Sequence, residues 1–280
     1  VPADPLAPLA DLPGVADAVA RARDACEQLR WHEAYRRRWR EVRAEAGLRS
    51  ARASAAVDGA RLPLDVVRGL ATAPAGAPDP QVARVLGAVR ATAVVERLMP
   101  DLGARGAAAL PPLGQLLARV HAAAGGGWLD DDLLGRVRSG APQDLTGLGP
   151  APDGAQVAAR IDLLGRTVAG STAPALVVAA VVHGELLTLR PFAAGNGVVA
   201  RAVARLVATA RGLDPTGSVV ADVAWAVAPQ PYLGAAAQFA TGTPDGVAAW
   251  LRACAEAVVS GVDEARVVAD GVLAGRLPSA

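Results

Sequence analysis

The segment Leu189-Arg190-Pro191-Phe192-Ala193-Ala194-Gly195-Asn196-Gly197-Val198-Val199-Ala200-Arg201 carries the chain's most distinctive chemistry. A helix ends, a short loop brings Pro-Phe and Gly-Asn-Gly, and a new helix begins. Two glycines around an asparagine at a helix start leave backbone N–H groups free and let a ligand approach closely. That is an anion-binding nest, although the same residues also serve ordinary turns. Arg201 lies one turn into the following helix, where a cation opposes the helix dipole and calls for an anionic partner. Asp58 is misplaced in the opposite sense. It closes the Ala-rich stretch 51–58 just before Gly59, and an acid at a helix C-terminus calls for a cation. Arg190 has two readings, a surface ion pair or a phosphate contact. His183, on an apolar helix face, reads as a hydrogen-bonded core residue. His32 and His121 share no metal-ligand spacing with it. Trp128 and Trp225 read as packing residues.

Helices must position these groups. Of the 280 residues, 52% are hydrophobic, much of that alanine, and only 3% are aromatic. Such a composition favours closely packed helices over a β-sandwich. Helical patterns run over about 81–99, 112–124, 156–168, 173–188, 198–211, 219–226, 231–239, 244–259 and 262–273. Nearer the start, Trp31, Tyr35, Trp39, Val42 and Ala46 draw one apolar stripe on a helix that should break at Gly47. Arg36, Arg37, Arg38 and Arg40 around it read as a solvated face balanced by Glu33, Glu41 and Glu45. Residues 1–13 read as an extended arm, and Thr72–Pro80 as a loop. Stretch 139–155 is the longest one poor in helix formers, and a loop of that length is usually functional or disordered. The expected architecture is an all-α bundle.

Composition also excludes functions. With 28 basic against 27 acidic residues, net +1, no broad nucleic-acid-binding surface is expected. The two cysteines, Cys26 and Cys254, build no disulfide framework, which points to a reducing cytoplasm. The first residues lack the pattern of a signal peptide. The longest apolar run, 173–182, is too short to span a bilayer, so no membrane association is expected.

The segment around Arg190 resembles the motif of the Fic (Fic/Doc, FIDO) family, His-Pro-Phe-x-Asp/Glu-Gly-Asn-Gly-Arg-x-x-Arg. The likeness covers about residues 30–260. His183 falls where Fic proteins often carry another histidine. Arg119-Val120-His121 and Gly135-Arg136-Val137-Arg138 resemble landmarks ahead of the family's active-site flap. Tyr232 with the following Gly234–Phe239, and Trp250-Leu251, resemble its C-terminal helices. Ser54-Ala55-Ala56-Val57-Asp58-Gly59 is similar to the family's inhibitory motif, Ser/Thr-x-x-x-Glu-Gly/Asn, with aspartate for glutamate.

The resemblance implies a Fic-fold helical bundle with an N-terminal helical extension, and allows a small β-hairpin flap within 139–155. It divides the chain into the arm 1–13, an N-terminal helical region 14–110 with the inhibitory-like motif 54–59, a core 111–215, and C-terminal helices 216–280 packed on that core. It implies AMP transfer from ATP to a protein hydroxyl, with a protein target or partner, and leaves room for a homodimer. The chain departs from the motif where that chemistry is done. Arg190 stands at the place of the catalytic histidine and cannot act as a base near neutral pH. Ala194 replaces the metal-binding acid, so magnesium is not expected. Val198 replaces the first phosphate-binding arginine. Pro191, Phe192, Gly195, Asn196, Gly197 and Arg201 are kept and are the expected contacts to ATP or another nucleotide. Ser54, Asp58 and Gly59 are the expected inhibitory residues, with Asp58 paired to Arg201. The expected function is therefore a degenerate nucleotide-binding or regulatory pseudo-enzyme. The alternatives are an active transferase with altered chemistry, and a protein-interaction module working through the Arg/Trp-rich N-terminal helix.

Overall fold

The computed structural model describes residues 3–72, 79–104 and 110–277. Its helices start where the sequence supplies caps. Asp79 accepts hydrogen bonds from the Gln81 and Val82 amides, and Pro80 takes the first helical position. Asp153 caps the Ala155 amide and Thr243 the Gly246 amide. The helices are α1 (Val15–Arg30), α2 (Trp39–Val57), α3 (Leu64–Thr72), α4 (Pro80–Glu96), α5 (Leu113–Gly125), α6 (Gly154–Gly170), α7 (Ala175–Leu189), α8 (Asn196–Ala210), α9 (Asp222–Val227), α10 (Pro229–Ala240) and α11 (Pro244–Leu273). The architecture is all-α, and no strand occurs among the described residues.

The centre is α7, apolar on every side and buried along nearly its whole length. It packs on α8, with α6, α10 and α11 around it. Helix α4 lies against α2, α5 and α8, which brings the C-terminal end of α2 toward the start of α8. Helix α1 packs along α11 and encloses a second apolar cluster that includes Leu29, Tyr35, Val42 and Val268. Trp250 is fully buried and donates its indole N–H to the Ala180 carbonyl at 2.8 Å, pinning α11 to α7.

Four expectations at the level of elements change. The Trp31–Tyr35–Trp39 stripe is not one helix, because α1 ends at Arg30 and residues Glu33–Arg36 form a 3-10 turn capped by His32. Helix α2 runs straight through Gly47. This glycine makes room for a neighbour rather than a break: a Cβ there would lie 2.0 Å from a carboxylate oxygen of Glu96. Likewise, 244–273 is one helix through Gly261, where a Cβ would meet the Ala221 amide nitrogen at 2.6 Å. The predicted arm is partly a 3-10 turn, Ala7–Asp11. Of the loop predicted over 72–80, residues 73–78 lie outside the described residues.

Candidate functional site

Helix α7 ends at Leu189 and α8 begins at Asn196, so the intervening loop crosses the end of the central helix pair. Gly195 adopts φ 81°, a left-handed conformation that favours glycine, and turns the chain into α8. Phe192 is buried and stacks on the His121 ring at 3.8 Å. The His121 Nδ1 accepts from the Gly135 amide at 2.9 Å, and its Nε2 donates to the Ala194 carbonyl at 3.0 Å. Both ring nitrogens are thus engaged, and burial lowers the imidazole pKa. Asn196 braces the loop from inside. Its Oδ1 accepts from the Phe192 amide and its Nδ2 donates to the Phe192 carbonyl, each at 2.9 Å.

The structure brings Arg201 and Asp58 together. Arg201 Nη2 donates to Asp58 Oδ2 at 2.8 Å. The other donors are used too: Nε to Ser54 Oγ at 2.7 Å, Nη2 to the Ser54 carbonyl at 2.9 Å, and Nη1 to Tyr232 Oη at 3.3 Å. Asp222 Oδ1 stands 3.7 Å from Nε. Burial works against the Arg201 charge, yet the Asp58 and Asp222 carboxylates hold its pKa above the usual value. Asp58 also covers Gly197, where a Cβ would lie 2.6 Å from Oδ1. The aspartate is one methylene shorter than the glutamate of the similar motif, yet it reaches the guanidinium directly.

Arg190 does not form the surface ion pair that is one of its two readings. It is 2% exposed, and its guanidinium donates to the carbonyls of Leu145 at 2.9 Å and Gly149 at 2.8 Å. Arg138 does the same from the other side of the 139–155 loop. It donates to the carbonyls of Gly140 and Pro152 at 2.6 Å each, of Arg190 at 2.7 Å and of Leu189 at 3.1 Å. These side chains satisfy loop carbonyls that a hairpin would have paired across strands. The segment is accordingly a loop with a 3-10 turn at Thr146–Leu148. Arg190 and Leu145, joined by one of these bonds, are also the two non-glycine residues with positive φ among those described, at 43° and 54°. Held strain of this kind gathers at functional sites.

His183 is a core residue. It is 5% exposed, bonded through Nε2 to Tyr232 Oη at 2.8 Å, and packed among Trp225, Tyr232 and Trp250. Burial, and then the Arg201 charge, push its pKa down to about 3. Trp225 packs as expected. Trp128 also borders a cleft of about 260 Å³ with Asp58, Asp144, Ala194, Gly195 and Val198, and Arg84 lies over its ring at 5.2 Å.

Asp144 escaped the sequence reading. Its Oδ2 accepts from the Asn196 amide at 2.8 Å and its Oδ1 from Asn196 Nδ2 at 2.6 Å, so a carboxylate already sits at the start of α8. Burial raises its pKa, the Asn196 hydrogen bonds oppose that, and the nearby Asp58 charge adds to it. A signal was there: Asp144 is the only ionisable side chain between Arg138 and Asp153.

No protein-family model and no curated protein matches the sequence. Solved structures do match. A Fic family protein from Desulfovibrio desulfuricans G20 superposes with a TM-score of 0.72 at 20% identity, over 92% of this chain and 75% of that one. Residues 134–508 of Fic-1 from C. elegans give 0.70 at 17% identity, over 93% and 73%. A Fic-domain-containing signaling protein from Bacteroides thetaiotaomicron gives 0.64 at 15% identity, over 91% and 98%. The chain has the Fic fold.

Proposed function

We propose that this Fic-fold chain is a degenerate relative of the AMP transferases: a regulatory protein that holds a nucleotide or similar phosphate compound and does not transfer AMP. The observation that carries this reading is the use made of Arg190. The side chain at the position of the catalytic base is permanently charged, buried, and bonded to two loop carbonyls. Among the described residues no neighbouring histidine stands in for it. His121 has both nitrogens engaged, and His183 is sealed behind Tyr232. The residues present also do not suit a divalent metal. Ala194 offers a methyl group where an oxygen ligand would be needed. Among the described residues no three His, Cys, Asp or Glu side chains cluster for one.

An anionic group does suit the site. The start of α8 already holds a carboxylate, and Arg201 already holds another. A phosphate would meet the same donors, helped by the helix dipole. The cleft, at about 260 Å³, falls below the roughly 300–1,000 Å³ of ordinary ligand sites. Entry of a nucleotide therefore requires a carboxylate to swing aside, and Asp58, at the exposed end of α2, is the first to do so. This makes the Asp58–Arg201 pair an internal lock on binding.

Two measurements test the reading. Purified protein incubated with labelled ATP and magnesium should incorporate no AMP, into itself or into added proteins. Calorimetry should find ATP bound at least ten-fold more tightly by Asp58→Ala than by the unaltered protein. AMP incorporation by the unaltered protein, or unchanged affinity in the variant, would overturn it.

A further inference from the structure

The start of α8 is covered twice, by carboxylates from two separate elements. Asp58 comes from the end of α2 and engages Arg201 and the face of Gly197. Asp144 comes from the 139–155 loop and engages the backbone and side-chain amides of Asn196. The two share no donor, yet they border the same cleft with Gly195 and Val198, and the Asp58 charge lies near enough to raise the Asp144 pKa. The two acidic groups therefore mark two anion positions within one cleft.

We propose that Asp144 is a second internal lock, independent of Asp58, and that it sets which ligand opens the pocket: one bearing two or more linked anionic groups, an oligophosphate, that replaces both carboxylates at once. This rests on the reading of the pocket as a phosphate site. A single phosphate would displace one carboxylate and leave the other beside it, repelling it. A di- or triphosphate supplies an anion for each set of donors.

The loop is built to hold Asp144 in place. The Gln143 amide, immediately before it, donates to the Ala193 carbonyl at 2.7 Å. Leu145, immediately after it, takes a left-handed φ of 54° with its carbonyl held by Arg190. The Arg138 amide donates to the Pro191 carbonyl at 2.9 Å and anchors the start of the loop. Arg190 thereby has a positioning role in this lock: it fixes the backbone that aims Asp144 at Asn196.

The test is calorimetry with inorganic phosphate and tripolyphosphate on the full chain, comparing the unaltered protein, Asp144→Asn, Asp58→Ala and the double variant. Asp144→Asn keeps the side chain's size and removes its charge, so the loop should remain folded. Amide exchange of residues 139–155 reports whether it does, and Asp144→Ser is the substitute if it does not. The expected result is tripolyphosphate affinity at least ten-fold higher in Asp144→Asn, and at least ten-fold higher in the double variant than in Asp58→Ala. Phosphate should gain less than tripolyphosphate in the double variant. A double variant that binds tripolyphosphate no better than Asp58→Ala would overturn the second lock while leaving the phosphate site intact. Binding of neither probe by any variant would overturn both.

Discussion

Arg190 and Arg201 bracket the same loop and are equally buried, at 2% and 3% exposure, yet their charges meet different surroundings. Arg201 faces the carboxylates of Asp58 and Asp222, which hold its pKa up against burial. Arg190 faces two carbonyls and leaves its Nε without a partner, and burial together with Arg138 pulls its pKa down. The difference lies in what can be exchanged. A carboxylate on a guanidinium can be replaced by a phosphate with little change in electrostatics. Backbone carbonyls cannot be replaced without moving the chain. On the proposed reading one arginine therefore marks a ligand position, whereas the other is a staple for the loop.

The comparison breaks most visibly if chemistry can be restored at the Arg190 end. Arg190→His combined with Ala194→Asp, Val198→Arg and Asp58→Ala should transfer AMP from labelled ATP in magnesium. The rate should exceed that of the unaltered protein by about 10²-fold or more, the contribution of a positioned base. Arg190→His alone should stay at background, because the metal carboxylate would still be missing. Activity in that single variant would show that the staple hides a working site.

Stability sharpens the same contrast. Arg201→Ala strands Asp222, which is buried and lies 3.7 Å away, along with Asp58. Breaking such a group costs roughly 3–5 kcal/mol. Arg190→Ala removes two bonds to neutral carbonyls, a loss of about 1–3 kcal/mol. Urea denaturation should rank the two in that order. Limited proteolysis should open the 139–155 loop in Arg190→Ala and not in Arg201→Ala. Equal losses, or loop cleavage in both, would erase the distinction.

Proton binding supplies a third contrast, between His183 and Asp144. His183 ionises near 6.5 when unfolded and at about 3 when folded, because burial and Arg201 disfavour its charge. Between these values the unfolded chain binds one more proton. Stability is thus full above pH 6.5 and falls as pH drops toward 3, by up to about 1.4 kcal/mol per pH unit. His183→Gln should flatten the acid limb of stability against pH, measured by urea titrations between pH 4 and 7. An unchanged slope would show that His183 is not the group responsible. Asp144 works in the opposite direction, since its raised pKa makes the folded chain bind protons more readily.

Much of this contrast was legible in the residues, and the unread part has a common cause. Arg201 and Asp58 each stand out as electrostatically wrong for their place on their own helix, which is local information, whereas their pairing comes from the resemblance to the family's inhibitory motif. Asp144 was not legible, because nothing in its neighbourhood says that the loop folds back onto Asn196. The fate of Arg190 depended on the same fold-back. Gly47 and Gly261 misled because a glycine reads locally as a break, whereas here it admits Glu96 or the Val220–Ala221 backbone. The Trp31 stripe misled because helical spacing continued across residues where the backbone turns.

That stripe gives the smallest predicted effect and the last comparison, between Trp31 and Tyr35. An exposed Trp31–Trp39 stripe favours a protein-interaction module, and a buried one favours the other two readings. The turn at Glu33–Arg36 splits the stripe, leaving Trp31 exposed and Trp39 half-buried. Trp31 is 69% exposed, and its contacts are with the neighbouring Glu27 and Arg30 side chains. Tyr35 points inward and its hydroxyl meets Ser218 Oγ at 2.6 Å. Trp39 lies between Arg40 and Arg43, at 4.4 and 4.6 Å from their guanidinium carbons. Tyr35→Phe should cost about 1 kcal/mol, because the Ser218 side loses a buried partner. Trp31→Ala should shift stability by less than about 0.5 kcal/mol. It should also leave tripolyphosphate binding in the Asp58→Ala background unchanged, since the Trp31 ring makes its contacts with Glu27 and Arg30 of α1. Light scattering provides the decisive reading: a lower molar mass in Trp31→Ala than in the unaltered protein would make this exposed ring an assembly contact and return the N-terminal region to the centre of the function.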